Sequence, residues 1–453
     1  MFGVAFALTL PPLAGADEGV HFLRAWHVSN GHAFAESGHR AGDPAPDLGA
    51  YVPSGLEHGL GTLLINGELT RTNARKVWSH VWDPAPSGKR EFVDFAAAAV
   101  YPPVPYIPSA IGIRVGRLFG VSPFLLVLLA RLADLAAFIA LVALAIRRLP
   151  SRAWILAIIA LTPVAVFQAA TVSADGLTTA LALLVVADAL ALMARPVNDV
   201  PRALVVETVL VTLALALSKQ PYFLAAGLLL LPAWRHRRSI GAVIAGALAA
   251  GGVLALAWTH WANNHYLAPD FLPPSLGGHA NYANNNVQTK PQLAYLQHHP
   301  FSFFTIVGRT IGYHGVSIAH DLVVQITFWH VPGVIGVLVA LGLVAVVLID
   351  AEPLAGGRPM RAFGLALAAV TVAIALFLAY VGWNALRAPR IDGFQGRYLL
   401  VVAAMVGLFI RSARGRPEAE TRRRIERFSV WIVGWSALML LAVEFGLAWH
   451  SYR

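Results

Sequence analysis

The hydrophobic pattern of the chain consists of apolar runs separated by polar segments. A helix needs about 20 consecutive apolar residues to span a bilayer. About eleven apolar runs are present, and several of them approach or reach that length. They cover residues 2–10, 124–146, 153–170, 176–194, 203–218, 221–233, 239–261, 331–349, 362–383, 397–410 and 428–448. The pattern predicts an all-α polytopic membrane protein with about 11 transmembrane helices.

These runs divide the chain into five parts. We expect a first transmembrane helix, a first outer loop with interfacial helices, transmembrane helices 2–7, a second large outer loop, and transmembrane helices 8–11. The corresponding ranges are 1–13, 14–121, 122–261, 262–330 and 331–453. The first run ends at Pro11-Pro12 and is about half of a bilayer-spanning length. We therefore expect a truncated first helix, a natural start further upstream and a cytoplasmic N-terminus.

Composition supports the membrane class. Of the 453 residues, 57% are hydrophobic and 13% are charged, and the mean hydropathy is +0.63. In a soluble protein, the net charge of +10 would suggest binding to nucleic acid. Here the basic residues cluster between apolar runs, which is typical of topology signals. We therefore predict that the protein contacts membrane lipids rather than nucleic acid. The sequence contains no Cys, which excludes disulfides and thiolate chemistry.

The basic clusters also predict an orientation. Short cytoplasmic loops carry an excess of Lys and Arg. If the first helix runs outward, nearly all short basic clusters become cytoplasmic; they lie within residues 147–152, 195–202, 235–238, 358–361 and 411–427. The loops 14–121 and 262–330 then lie outside the cell. In the first of these loops, the amphipathic stretch 107–119 is typical of an interfacial helix.

A tandem carboxylate follows the first apolar run, in the segment PPLAGADEGVHFLRA. If the chain is helical from Asp17, then Asp17, His21 and Arg24 share one face, with Glu18 beside them. Such a face can hold a general base, bind a divalent cation or position a phosphate. A solvated helix N-terminus, where the macrodipole favours acids, explains the pattern equally well.

Four cations oppose the predicted charge bias, because they lie in short outer loops. Phosphate binding is one reason for such a position, since Arg offers a bidentate fork and Lys a point charge. Snorkelling at the interface is the other. We favour snorkelling for Arg387 and Arg390, and phosphate binding for Arg397, which lies at the start of a predicted helix directly after Gln395-Gly396. Lys219 lies between these two interpretations.

Other polar residues near the apolar runs have simpler interpretations. Asp175, in TVSADGLTT, is expected to cap a helix, with support of a nearby site as the alternative. Arg131 and Asp134 are spaced to pair on one helix. The loop 262–330 is rich in Asn, His and aromatic residues, which suits hydroxyl-rich ligands. Its His residues lack a metal-site spacing.

Five segments resemble one bacterial membrane-protein family. PPLAGADEGVHFLRA, YPPVPYIPSAIG, VSADGLTT, LSKQPYF and DGFQGRYLL are similar, in this order, to the signature segments of domain of unknown function 2142. The resemblance extends from Pro11 to about Phe409. That family is similar in plan to the GT-C membrane glycosyltransferases, which also carry an acidic motif in the first outer loop and a PP-containing segment before the second span.

The resemblance implies an inverting sugar transferase that uses a polyprenyl-phosphate donor on the outer leaflet of the bacterial inner membrane. Its acceptor would be a cell-envelope polysaccharide or glycolipid. Asp17 matches the GT-C catalytic carboxylate and Glu18 its neighbour. The donor phosphate would be bound by Lys219, Gln395, Arg397 and Tyr398, with His21, Arg24, Tyr101 and Asp175 in support.

Three questions stay open at the level of sequence. A divalent cation, Mg²⁺ or Mn²⁺, at Asp17, Glu18 and His21 is an alternative to the expected metal-free mechanism. We expect the first helix to be truncated relative to the family pattern, and the chain to lack the soluble C-terminal domain of the oligosaccharyltransferases. A lipid-linked glycan flippase and a non-catalytic envelope-assembly protein are the other functional classes. An internal repeat would favour the flippase, and the sequence shows none.

Overall fold

The computed structural model describes residues 1–39, 47–63, 71–197, 199–265, 287–326, 331–349, 354–410 and 419–452. This part of the chain is mostly helical. Its α-helices are α1 Phe2–Thr9, α2 Glu18–Ser29, α3 Ser54–Leu63, α4 Arg71–Ser79, α5 Ala96–Ala99, α6 Ile107–Leu118, α7 Pro123–Arg148, α8 Ala153–Ala160, α9 Pro163–Ala169, α10 Ala174–Ala194, α11 Arg202–Ala216, α12 Leu230–Arg235, α13 Gly241–His265, α14 Thr289–His298, α15 Ser302–Val324, α16 Gly333–Ile349, α17 Gly357–Trp383, α18 Leu400–Phe409 and α19 Ala419–Tyr452. Segments of 3₁₀ helix lie at His80–Trp82, Val104–Tyr106, Gln220–Leu229 and Gly396–Leu399.

Among the described residues, five helices are long and apolar enough to cross a membrane. They are α7, α10, the Gly241–Ala262 part of α13, α17, and the Arg427–Gly446 part of α19. The membrane class predicted from the sequence is thereby supported. The other apolar runs form shorter helices, and the run 153–170 is divided into α8 and α9 where Pro163 starts a new helix.

Helix α10 is the centre of the helical core. Nearly all of its residues are buried, and it packs against α7, α11, α18 and the 3₁₀ segment Gln220–Leu229. A helix that is apolar on every face must be enclosed by protein or lipid, and here protein encloses it. Because α10 begins at Ala174, its first turn is the rigid support for the polar residues described below.

The first long polar segment contains a sheet that an all-α prediction does not include. Strands β1 Glu36–Gly38, β2 Asp47–Pro53 and β3 Arg90–Asp94 pair antiparallel in the order β1-β2-β3. Gly49 is required at the centre, because an added Cβ would lie 1.9 Å from the carbonyl oxygen of Val93. The sheet leads through Phe95 into α5, and thereby orders the chain between α2 and α6.

The second predicted loop, 262–330, also contains regular structure. Helix α15 has 23 residues, and α14 precedes it. The part of that prediction that falls on residues 266–286 and 327–330 lies outside the described residues. Helix α15 packs against the 3₁₀ segment Gly396–Leu399 and against α9 and α16, so this region supports the segment that carries Arg397.

A buried ion pair joins the start of α2 to α7. The Arg131 guanidinium donates to both carboxylate oxygens of Glu18, each at 2.6 Å. It also donates to the carbonyl oxygens of Ala7, Leu10 and Pro11 at the end of α1. A cation is favourable where unpaired helix carbonyls gather. Arg131 therefore pairs with Glu18 and holds three segments together; the predicted pairing with Asp134 on the same helix is wrong.

Candidate functional site

A cavity of about 470 Å³ lies where the segments singled out in the sequence meet. One side is lined by the start of α2, and another by residues 96–101 after the sheet. The segments 219–222 and 393–402 and the helix α17 complete the wall. Its lining residues are Asp17, Val20, His21, Ala96, Ala97, Val100, Tyr101, Lys219, Gln220, Pro221, Tyr222, Thr371, Val372, Ala375, Leu378, Ala379, Trp383, Gly393, Phe394, Gln395, Tyr398, Leu399 and Val402.

Asp17 stands at the N-cap of α2 in the left-handed region, with φ 56°. Asp tolerates this conformation better than most residues with a side chain. Its carbonyl oxygen accepts from the backbone N–H of His21, whereas its side chain makes no capping hydrogen bond. The carboxylate therefore faces the cavity instead of satisfying the helix terminus. The expected single helical face through Asp17, His21 and Arg24 does not form, since α2 begins at Glu18.

Glu18 has a different environment from its neighbour. Its carboxylate is fully buried against Arg131 and also accepts from the backbone N–H groups of Gly15 at 2.9 Å and Val172 at 3.0 Å. With these partners, Glu18 lies off the cavity wall. Its position suits a structural support for Asp17 better than contact with a reacting molecule.

His21 is held on the cavity wall by two tyrosines. Its ring stacks near those of Tyr101 and Tyr106, with centroids 6.1 and 5.8 Å away, and its Nδ1 is 2.8 Å from the Tyr106 hydroxyl. Burial, together with the nearby Lys219 ammonium, lowers the pKa of His21 to about 3. The imidazole is therefore neutral at physiological pH and serves as a hydrogen-bonding group.

The Lys219 ammonium lies between aromatic rings and a carboxylate. It donates to Asp175 Oδ1 and lies 4.9 Å from the centre of the Tyr101 ring and 5.3 Å from that of Tyr398. Both rings contribute cation–π attraction. Asp175 thus forms an ion pair, and the helix cap is Ser173, whose Oγ accepts from the backbone N–H of Asp175. The expectation that Asp175 caps this helix is wrong.

Arg397 lies behind the cavity wall. Its Nε is 3.7 Å from Asp175 Oδ2, its side chain is 9% exposed, and it is absent from the lining. Asp175 therefore joins the two cations of the predicted phosphate-binding set, Lys219 and Arg397, of which only Lys219 lines the cavity. Gln395 and Tyr398 both line it, and the Tyr398 carbonyl accepts from the Tyr222 hydroxyl at 3.1 Å.

Arg24 is directed away from the cavity. Its guanidinium donates to the carbonyl oxygens of Ala33 at 2.6 Å and Tyr101 at 3.3 Å, and to His27 Nδ1 at 3.1 Å. It therefore orders the chain after α2. The other two unusual cations lie elsewhere: Arg390 covers the Tyr313 ring and Arg387 the Tyr295 ring.

The residues considered for a metal do not form a common coordination site. Glu18 is engaged by Arg131, and His21 Nδ1 by Tyr106. A different group, His27, His32 and Glu36, brings three ligand atoms within 4.8 Å of one another. However, Arg24 can only donate, so His27 Nδ1 accepts and Nε2 carries the proton. That proton faces Glu36 at 3.3 Å, which suits a hydrogen-bonded histidine better than a metal ligand.

Among the lining and supporting residues that were not predicted from the sequence, three aromatic residues make specific contacts. Tyr106 anchors His21, Tyr222 joins the Lys219 segment to Tyr398, and Trp383 lines the cavity beside Gly393. Tyr106 and Tyr222 belong to the segments YPPVPY and KQPY, which were noted for other residues. Trp383 ends α17, and nothing local distinguishes it from an interfacial tryptophan.

The fold and the cavity define a helical membrane protein with a charged internal site. A family model described as "Predicted membrane protein (DUF2142)" matches residues 1–406. The chain belongs to this family, which confirms the assignment made from its five segments. No curated protein and no solved structure matches the chain.

Proposed function

We propose that this protein is a GT-C-like membrane glycosyltransferase. It would transfer a sugar from a polyprenyl-phosphate donor to a polysaccharide or glycolipid acceptor on the extracytoplasmic side of the bacterial inner membrane. In this proposal the chain spans the membrane about eleven times. The observation that carries the proposal is one cavity that combines a carboxylate without a capping hydrogen bond, Asp17, with a cation, Lys219, and an apolar wall.

The apolar wall suits a lipid-linked donor. It is formed by α17, the end of the 3₁₀ segment Gly396–Leu399 and the start of α18, which contribute Val372, Ala375, Leu378, Leu399 and Val402. An isoprenoid chain that leaves the bilayer needs apolar surroundings, because exposure of its apolar groups to water would cost free energy. The phosphate would then be placed at Lys219, since an ammonium stabilises phosphate oxygens electrostatically.

The chemistry would be a single displacement. The acceptor oxygen forms a bond to the anomeric carbon while the bond from that carbon to the phosphate oxygen breaks. Asp17 takes the acceptor proton, and the electron pair leaves with the polyprenyl phosphate. Attack opposite the leaving group inverts the anomeric centre. Lys219, supported by Arg397 through Asp175, would stabilise the charge that develops on the phosphate.

Asp17→Asn tests the proposal. Asn keeps the shape of Asp and removes the base, so sugar transfer should fall by about 10²- to 10⁴-fold. The assay follows radiolabelled sugar from a panel of polyprenyl-phosphate sugars in proteoliposomes. Asp199→Asn is the matched control, because Asp199 is exposed and lies outside the cavity.

Two outcomes would overturn the proposal. One is full transfer by Asp17→Asn. The other is a wild type that transfers from no donor but moves labelled lipid-linked sugar between leaflets independently of Asp17, which would identify a flippase.

A further inference from the structure

The charges around the cavity are balanced before any donor enters. Among the described residues, the wall carries one cation, Lys219, and one carboxylate, Asp17. Directly behind it lie Asp175 and Arg397, joined to the same cluster. His21 adds no charge, because its imidazole is neutral. Two cations and two carboxylates therefore cancel.

Asp175 compensates part of the positive charge with which Lys219 and Arg397 attract a phosphate. Its carboxylate contacts both cations, one through each oxygen, and its side chain is only 9% exposed. The position is rigid, since Asp175 belongs to the first turn of α10, which Ser173 caps. Lys219, Arg397 and Asp175 together present one net positive charge to an incoming phosphate.

The single net positive charge of Lys219, Arg397 and Asp175 compensates a singly charged phosphate group, so that only the charge of Asp17 stays uncompensated in the occupied cavity, whereas a diphosphate adds a second uncompensated charge. In a cavity lined largely by apolar side chains, an uncompensated second charge interacts unfavourably with its surroundings, because the effective dielectric constant is low. A sugar joined to a lipid through one phosphate is a diester and carries one negative charge. A sugar joined through a diphosphate carries two.

The displacement leaves the total charge of the occupied cavity unchanged for a monophosphate donor and for a diphosphate donor alike, so the discrimination between the two lies in binding. When the bond to the anomeric carbon breaks, the leaving phosphate group gains one negative charge. In the same step Asp17 accepts the acceptor proton and loses its own charge. The total charge of cavity and donor therefore stays constant, and no counterion has to enter the site.

We propose that Asp175 makes this cavity selective for donors linked through a single phosphate and against donors linked through a diphosphate. The inference rests on the proposed function, since it names the donor class of the same site. The alternative role, in which Asp175 serves only to hold Lys219 in place, predicts equal losses for both donor classes when Asp175 is changed.

Binding of two matched probes tests the selectivity. Farnesyl-phosphoryl-glucose and farnesyl-diphosphoryl-glucose share the lipid chain and the sugar and differ in phosphate number. Their dissociation constants are measured by microscale thermophoresis on the full chain in nanodiscs, without an acceptor. The wild type should bind the monophosphate probe at least about tenfold more tightly, and Asp175→Asn should reduce that ratio by about tenfold or reverse it.

Asp188→Asn is the matched control, because Asp188 lies on the same helix, away from the cavity, where Thr208 donates to it at 3.1 Å. It should keep the wild-type ratio. The proposal is overturned if the wild type binds both probes equally, binds neither, or prefers the diphosphate. It is also overturned if Asp175→Asn folds and retains the wild-type ratio. If that variant does not fold, the wild-type ratio alone decides.

Binding without an acceptor separates this inference from the proposed function. Selective binding by a protein that transfers no sugar would refute the transferase and leave the selectivity standing. Transfer from diphosphate-linked donors in preference to monophosphate-linked ones would support the transferase and refute the selectivity.

Discussion

At the scale of residues, two neighbouring carboxylates have opposite environments. Asp17 faces the cavity without a capping bond, whereas Glu18 is fully enclosed by Arg131 and two backbone N–H groups. The left-handed conformation of Asp17 separates the directions of the two side chains. The acidic pair therefore combines one residue available for chemistry with one that fixes its position.

Glu18→Gln should destabilise the protein strongly. The substitution leaves Arg131, which is 1% exposed, as a buried charge without a counterion. Breaking a buried pair in this way costs about 3–5 kcal/mol. Thermal unfolding in detergent should show a large fall in Tm, compared with a small change for Asp17→Asn. Equal Tm values for the two variants would contradict the assignment of Glu18 to structure.

Two buried histidines should make stability depend on pH. Burial lowers the pKa of His21 and of His27 to about 3 each, below the ordinary value of 6.5. As pH falls below 6.5, the unfolded chain binds protons that the folded chain does not, so stability decreases as pH falls towards about 3.

The measurement is Tm against pH from 7 to 4. Replacement of His27 by Gln should flatten the slope in this range, whereas the same replacement of the exposed His58 should not. An unchanged slope for His27→Gln would contradict the buried neutral state of this histidine.

At the scale of elements, helix α15 sets the position of the segment that carries Arg397. An added Cβ on Gly396 would lie 2.1 Å from the carbonyl oxygen of Ile318 and 2.3 Å from the backbone nitrogen of Leu322. Both atoms belong to the backbone of α15. The helix and the segment Gly396–Leu399 therefore pack in direct backbone contact, which only glycine permits.

Gly396→Ala should displace α15 and disturb the cavity. Overpacking of this kind costs about 1–3 kcal/mol, and sugar transfer should fall with the shift of Gln395 and Arg397. Thermal unfolding and the transfer assay measure the two effects. Gly382→Ala is the matched control, because an added Cβ there meets no atom within 4 Å. Wild-type behaviour of Gly396→Ala would show that the contact tolerates expansion.

At the scale of the whole molecule, the membrane helices and the basic clusters predict which loops share a side. The proposed function places the cavity outside the cell, and the loop 14–121 with it. Ser87 in that loop is exposed, as is Arg238 in a predicted cytoplasmic cluster. Cysteines introduced at these two positions should therefore be accessible to a thiol reagent from opposite sides of the membrane, which tests the proposed orientation.

The absence of native Cys makes this measurement specific. In intact spheroplasts, a membrane-impermeant maleimide should label Ser87→Cys and should label Arg238→Cys only after permeabilisation. Solubilised protein serves as the control for reactivity at both sites. The reverse pattern would place the cavity on the cytoplasmic side and refute the proposed location.

The membrane class, the family and several of the segments around the cavity could be predicted from the amino-acid sequence alone, whereas the part of α17 that lines the cavity could not. Long apolar runs require an apolar environment whatever their neighbours are, and the segments around Asp17, Lys219 and Gln395 were recognisable by their resemblance to the signature segments of the family. The helix bounds were less well predicted, because short apolar runs form broken helices such as α8 and α9.

The pairing of the charged residues in these segments could be known only from the fold. Glu18 and Arg131 are 113 residues apart, and Lys219 and Asp175 are 44 apart. Partners at such separations leave no periodicity in the sequence, so Arg131 was assigned to a near neighbour and Asp175 to a helix cap. The partner of a buried charge follows from which segments pack together, because a buried charge needs compensation at short distance.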